Sequence, residues 1–337
     1  MAFEIQNRRY TGSKLKISSW IRDIIKKECP DCHSLFDVFA GTGIVTASLL
    51  KDFDVFYIND FLYSNNIFYQ AFFSPDPYDE GKINNFFIKY RNLDPRSLRE
   101  NYVSKNYGDK YFSISDSKKI GYIREDLEKN KNQLTQKEYA ILLGSLLYSL
   151  DRCANTCGHY DAYIKKPIKK DSFVFELVAP IKTAGKEIHI YREDSNILAP
   201  TIRADIAYID PPYSSRQYTR FYHVLENITE WKKPKLFGTA MKPEAENMSE
   251  YCKSKASDFF NALICSLNVR YIVVSYNNTY NSKSSSSENK MTLETIKSIL
   301  EKRGSTIVHE IEHPAFNAGK TDLEEHKEIL FVTEVSR

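Results

Sequence analysis

At 337 residues, 42% hydrophobic and 27% charged, the chain has a globular balance that excludes a mainly disordered protein and supplies a core needing no disulfide or metal staple. Its longest apolar stretch, residues 140–150, is too short for a bilayer, residues 1–10 lack a secretory signal's apolar core, and six scattered cysteines make no disulfide scaffold, so a soluble cytoplasmic protein is expected. The net charge of +3 is uneven: 1–27 and 81–193 are basic, whereas Lys51 is the single basic side chain in 28–80, which suits either a cationic small molecule flanked by polyanion-binding surfaces or ordinary surface clustering.

Ile17, Trp20, Ile21, Ile24 and Ile25 recur at helical spacing and predict an amphipathic helix over 13–27. After the Pro30–Asp31 turn, the apolar run 34–39 predicts a buried strand, Gly41 and Gly43 a turn, and 44–50 a helix start. Residues 54–60 form the next strand and end in acid. Strand, glycine turn, helix and strand make a βαβ unit, hence a parallel sheet covered by helices. Beyond Pro75 and Pro77 the stretch 81–193 turns polar, rich in Asn, Lys and Tyr, and mostly helical in pattern, with 138–150 the clearest helix. Strands are expected again at 186–191, 205–209, 271–275 and 328–332, with helices near 221–231, 251–266 and 292–303. The serine-rich stretch 281–290 reads as a mobile loop. The 23 Tyr and 20 Phe can build core or stack on bases.

Asp37, Phe39, Gly41 and Gly43 fall where an open α/β sheet binds its ligand, at the carboxyl end of a strand. The glycines let backbone approach a ligand, and the helix start behind them favours an anionic group. Thr46 stands where a nicotinamide fingerprint needs its third glycine, and the phosphate-loop Gly-Lys-Ser/Thr pattern is absent. Asp60 closes the second strand, placed either to accept ribose hydroxyls or to cap a strand end or helix. The more specific signal is Asp210-Pro211-Pro212-Tyr213, directly after the strand 205–209. Its prolines stiffen the loop and leave the Asp210 carboxylate and the Pro211 carbonyl as acceptors beside the Tyr213 ring. Two acceptors would hold both hydrogens of an amine on a planar ring, draw its nitrogen toward tetrahedral geometry and aim the lone pair at an electrophile. A merely rigid turn is the alternative.

Taken in order, Arg9-Tyr-Thr-Gly-Ser-Lys14, Phe39-Ala-Gly-Thr-Gly43 and Asp210-Pro-Pro-Tyr213 resemble the N6-adenine DNA methyltransferases of the Dam-type class in their alpha-group arrangement. Residues 154–163 and 213–223 further resemble the subset containing the FokI-type modification methylases. The resemblance covers about residues 8 to 280. It implies a Rossmann-like α/β sheet dependent on S-adenosylmethionine, with helices on both faces and an inserted, mainly helical target-recognition lobe. The expected division is a catalytic domain of 1–80 and 194–337 around a DNA-binding insert of 81–193. It implies that Tyr10, Gly12 and Lys14 line the cofactor side, with Lys14 reaching toward DNA. Asp37, Phe39, Gly41 and Gly43 would surround the methionine part, Asp60 the ribose and Asp194 the adenine amine of the cofactor. Asp210, Pro211, Pro212 and Tyr213 would hold a flipped target adenine in double-stranded DNA. The implied DNA-binding residues are Arg152, Asn155, Thr156, Tyr160, Lys165, Arg216, Gln217 and His223, with phosphate contacts also from Lys166, Lys169 and Lys170. Asn155 and Thr156 equally suit a helix-ending cap. Residues 275–278 resemble the family's Ser-Tyr-Asn strand end, but Thr279-Tyr280 replace its usual Glu-Gly. The implied role is the modification half of a restriction system, with a separately encoded cognate endonuclease as its counterpart and no membrane partner.

Cys29 and Cys32, taken with Cys153, Cys157 and His159, could form a zinc site, but ordinary free thiols are the preferred reading and no metal is expected. Cytosine N4 and RNA remain alternative substrates, as does a DNA-binding regulator that keeps a methylase fold without catalysis. Asp rather than Ser at position 210 favours adenine, and intact Asp210 and Tyr213 favour catalysis.

Overall fold

The computed structural model describes residues 2–212, 214–278, 289–312 and 327–336. Tyr213, Thr279-Tyr280 and most of the serine-rich stretch lie outside the described residues. The chain divides into two compact units. A sheet unit comprises 12–61, 185–217 and 247–337; a helical unit comprises 1–11, 62–184 and 218–246.

The sheet unit holds seven strands: β1 (Ser34–Asp37), β2 (Val55–Asn59), β3 (Glu187–Tyr191), β4 (Ile206–Ile209), β5 (Tyr271–Asn277), β6 (Gly304–Glu312) and β7 (Lys327–Val335). Their order is β3-β2-β1-β4-β5-β7-β6. The first five run parallel, as the βαβ pattern requires, but β7 is antiparallel to both of its neighbours, so the sheet is mixed rather than wholly parallel. The order reverses between β1 and β4, the place where such sheets open a crevice for ligand. Helices lie on both sides. On one face Phe36, Val38, Ala207, Ile209, Ile272 and Val274 form a continuous core with the helices Ala256–Ser266 and Leu293–Glu301. The pleat sends Asp37, Tyr208 and Ser275, one from each of three adjacent strands, to the opposite face. Strand β6 was not anticipated: it lies at the sheet edge with no residue fully buried, and its apolar residues Ile307, Val308 and Ile311 do not alternate.

The helical unit is built around the helix Gln136–Cys153, where the greasy stretch 140–150 is buried. Thr135 and Glu138 start that helix as a reciprocal capping box. Gly144 faces the helix Tyr63–Phe73 at Ala71 and Phe68. Glu226, on the helix His223–Glu230, accepts the Tyr63 and Ser64 N–H groups at 2.9 Å and so caps the helix Tyr63–Phe73. Phe3 joins the same unit through backbone bonds to Leu177 and Ala179. These long-range ties draw 2–11, 62–80 and 218–246 into the helical unit, whose bounds therefore differ from the expected 81–193. No helix of the described residues is long and apolar enough to cross a membrane.

Candidate active site

In the sheet unit the carboxyl ends of four consecutive strands each deliver a carboxylate: Asp194 after β3, Asp60 after β2, Asp37 at the end of β1 and Asp210 after β4. Gly41 and Gly43 both adopt positive φ (54° and 75°), which a side chain would strain, and turn the chain from β1 into the six-residue helix Ile44–Leu49. Asp60 Oδ2 accepts the Gly41 N–H at 3.0 Å and ties this loop to the end of β2. Phe39 packs edge-on against Tyr251, ring centroids 5.1 Å apart. Asp194 caps the short helix Ser195–Leu198, accepting the Asn196 N–H at 2.8 Å.

Asp37 is almost wholly buried. Burial, opposed by a 2.7 Å bond from Thr46 and reinforced by the charges of Asp210 and Asp60, pushes its pKa up to about 7. Its Oδ1 is buried without a hydrogen-bond partner, an arrangement that favours an added cation or donor. Gly12 adopts φ 83°, and Lys14 two residues on is buried. The Lys14 ammonium lies 3.3 Å from Asp210 Oδ1 and 3.1 Å from Glu328 Oε2. Burial pulls the Lys14 pKa down, but the two carboxylates outweigh it and hold the group above the ordinary lysine value. Tyr208 lies buried among these charges; burial and the neighbouring Asp210 raise its phenol well above the usual range. Pro211 is buried and Pro212 half-buried. Glu328, at the start of β7 opposite Asn277, was not anticipated from the sequence. The available signal was an acid directly before the apolar run 329–332, more than a hundred residues from Asp210.

The helical unit holds most of the other expected site residues. Tyr10 is stacked on Tyr222 (centroids 4.9 Å, interplanar 7°) and on Tyr218 (5.3 Å). Two of the DNA-facing expectations are corrected. Tyr160 is fully buried and its hydroxyl donates to Asp151 at 2.8 Å. His223 is also buried, its ring nitrogens 3.1 and 2.9 Å from the Arg220 and Ala240 carbonyls. Both are core groups because their polar atoms are met inside the unit. Asn155 braces the Lys110 and Ile164 carbonyls, both at 2.9 Å, and Thr156 is buried. Arg152 and Lys165 are exposed. In the sheet unit Arg216 is half-buried, while Gln217 is buried and exchanges two hydrogen bonds with the Ser249 backbone. Among the described residues no group of three or more His, Cys, Asp or Glu could hold a metal. The cysteines are free, and burial raises the thiols of Cys29, Cys32 and Cys153.

Residues 10–302 match the family described as D12 class N6 adenine-specific DNA methyltransferase. The chain belongs to this family. Type II methyltransferase M.FokI of Planomicrobium okeanokoites is 33% identical over 319 residues, 88% of this chain and 47% of the relative. Modification methylase StsI of Streptococcus sanguinis is 34% identical over 286 residues, 80% of this chain and 44% of the relative. The chain thus spans about half the length of these two relatives. Type II methyltransferase M.NlaIII of Neisseria lactamica is 31% identical over 337 residues, 94% of this chain and 95% of the relative. Methyltransferases of the D12 class take their methyl group from S-adenosylmethionine. The unpartnered Asp37 Oδ1 fits that cofactor, whose methionine part carries an ammonium.

Proposed function

We propose that this D12-family chain transfers a methyl group from S-adenosylmethionine to the N6 amine of a flipped adenine, at a specific site in double-stranded DNA. The observation that carries the reading is the Asp210 carboxylate, held by Lys14 at 3.3 Å on the strand beside the glycine loop. When bound, the cofactor supplies an already activated methyl group, so the protein's work is alignment and exclusion of water. Asp37 would hold the cofactor's ammonium, Asp60 the ribose hydroxyls and Asp194 its adenine amine. Asp210 and the Pro211 carbonyl would accept the two hydrogens of the target amine and turn its lone pair toward the methyl group. Tyr213 would stack on the base, which has to leave the duplex because its amine is unreachable in the stack.

The order of glycine loop, helical unit and catalytic loop along the chain supports the Dam-type, alpha-group arrangement. The helical unit, with exposed Arg152, Lys165, Lys166, Lys169 and Lys170, would be the inserted recognition lobe and supply phosphate contacts. Relatives named as Type II and modification methylases support the modification role, with a separately encoded restriction endonuclease as counterpart.

Labelled S-adenosylmethionine is incubated with mixed-sequence duplex DNA and the digested nucleosides are resolved by mass spectrometry. Label in N6-methyladenine is expected, and Asp210→Ala should abolish it while duplex binding persists. Label in N4-methylcytosine would overturn the choice of base. Full transfer by Asp210→Ala would overturn the assignment of the site.

A further inference from the structure

We infer that Glu328 is a positioning residue for the catalytic loop, anchoring the Lys14 ammonium so that Lys14 in turn sets the Asp210 carboxylate. The inference rests on the reading of Asp210 as the acceptor for the target amine.

Lys14 reaches Glu328 Oε2 at 3.1 Å and Asp210 Oδ1 at 3.3 Å, and its side chain is 5% exposed. A lysine alone is a poor positioning device. Its ammonium is a point charge on a flexible four-carbon stem, and a single carboxylate partner leaves it free to swing about that contact. A second carboxylate removes that freedom, because the ammonium then has to sit between the two. Glu328 supplies it from within the β5–β7 ladder. It lies in the ladder opposite Asn277, at the end of β7 that antiparallel pairing brings to the edge where β5 finishes. Its side chain is only 9% exposed. The reversed direction of β7 is what makes this possible, since a parallel strand would present its first residues at the far edge.

The cluster's electrostatics fit the same role. Asp210 and Glu328 face Lys14, and Asp37, Tyr208 and Lys14 contribute charge or polarity around Asp210. Without a shared cation the carboxylates would repel and favour uptake of a proton. A protonated Asp210 would be a weaker acceptor for an amine that gains positive charge as the methyl group arrives. The orientation of that acceptor acts on the chemical step far more than on cofactor affinity.

The test uses the full chain, with duplex DNA containing the mapped site and saturating S-adenosylmethionine. Glu328→Gln should slow single-turnover transfer at least tenfold while the Kd values for cofactor and DNA stay within twofold. In a Lys14→Met background the same change should slow transfer by less than a further twofold, because the anchor has nothing left to hold. Glu328→Asp, which keeps the charge on a shorter stem, should retain more activity than Glu328→Gln and serves alone if the amide variant does not fold. Transfer by Glu328→Gln within twofold of the parent, multiplicative losses in the double variant, or an unimpaired Glu328→Asp where that variant stands alone would overturn the inference. Asp210→Ala separates the two layers. If it is inactive while Glu328→Gln is normal, only the anchoring role fails; if it remains active, the reading of the site fails first.

Discussion

The sheet unit and the helical unit both bury charge, but they treat it differently. In the helical unit the buried Arg124 donates through Nε to the Ile228 carbonyl (2.7 Å), through Nη2 to the Thr229 carbonyl (3.2 Å) and through Nη1 to Glu128 (2.8 Å). Tyr160 and Asp151 likewise satisfy one another. In the sheet unit Asp37 keeps one buried oxygen unpartnered, beside the charges of Asp60 and Asp210. Satisfied buried groups hold a scaffold together, whereas unmet ones weaken the fold and persist where a ligand completes them. Unmet buried atoms also occur in the helical unit, at Arg8, Asn65, Asp116 and Trp231, so the difference is one of place: Arg124 is met on every side, whereas the unmet oxygen of Asp37 lies among the carboxylates gathered at the strand ends.

The strongest challenge to that difference is Arg124→Met. The Ile228 and Thr229 carbonyls lie near the end of the helix His223–Glu230, and removing the guanidinium strands them together with the Trp231 ring it faces at 5.1 Å. A loss of about 3 kcal/mol is expected in a urea melt, with duplex specificity unchanged in the protein that remains folded. A melt equal to that of the parent would show that these bonds do not support the unit.

The two units should also answer pH with opposite signs. Burial raises Asp37 to about 7, above its unfolded value near 4, so between those limits the folded chain holds a proton that the unfolded chain has released. Stability from this group falls as pH rises through that window, and Asp37→Asn removes the fall. Cofactor binding runs the other way, since an ionised Asp37 is what an ammonium needs. Affinity should weaken about tenfold between pH 8 and pH 6, and a flat profile in that range would remove Asp37 from the cofactor site. His223 is the mirror image. Burial pulls it down to about 4, against the two carbonyls that favour the protonated ring. The unfolded chain then binds the extra proton between about pH 6.5 and 4, so stability falls as pH falls through that range. His223→Gln should flatten this acid limb in a melt series.

Much of the arrangement at the strand ends was legible because it is local. The run 34–39, the two glycines, the acid closing β2 and the Asp-Pro-Pro turn after β4 are each fixed by neighbours a few residues away, and the structure gathers Asp37, Asp60 and Asp210 at one edge of the sheet. What escaped depends on distant contacts. The reversal of β7 and the edge strand β6 follow from ladder register. The outline of the helical unit follows from Phe3 and Glu226 reaching far along the chain. Tyr160 and His223 misled for a related reason, because a polar residue within a motif looks the same in sequence whether its partner is DNA or a backbone carbonyl.

The smallest expected effect is at the surface of the helical unit. Asn155 ties down the chain at Ile164, through its side chain to the Ile164 carbonyl at 2.9 Å and through its backbone carbonyl to the Ile164 N–H at 3.0 Å. Lys165 therefore begins its exposed excursion from a fixed point, whereas Lys169 and Lys170 lie farther along the irregular segment. A lysine held this way and paired with one DNA phosphate releases about one counterion, so Lys165→Ala should reduce the slope of log affinity against log salt by about 0.9. The loss should be alike on specific and non-specific duplexes, because a phosphate contact carries no sequence information. Titrations at several salt concentrations would measure it, and Asn155→Ala should blur the contact without removing the charge. An unchanged slope for Lys165→Ala would place the phosphate track elsewhere on the unit, while a loss confined to one sequence would make Lys165 a reader of bases.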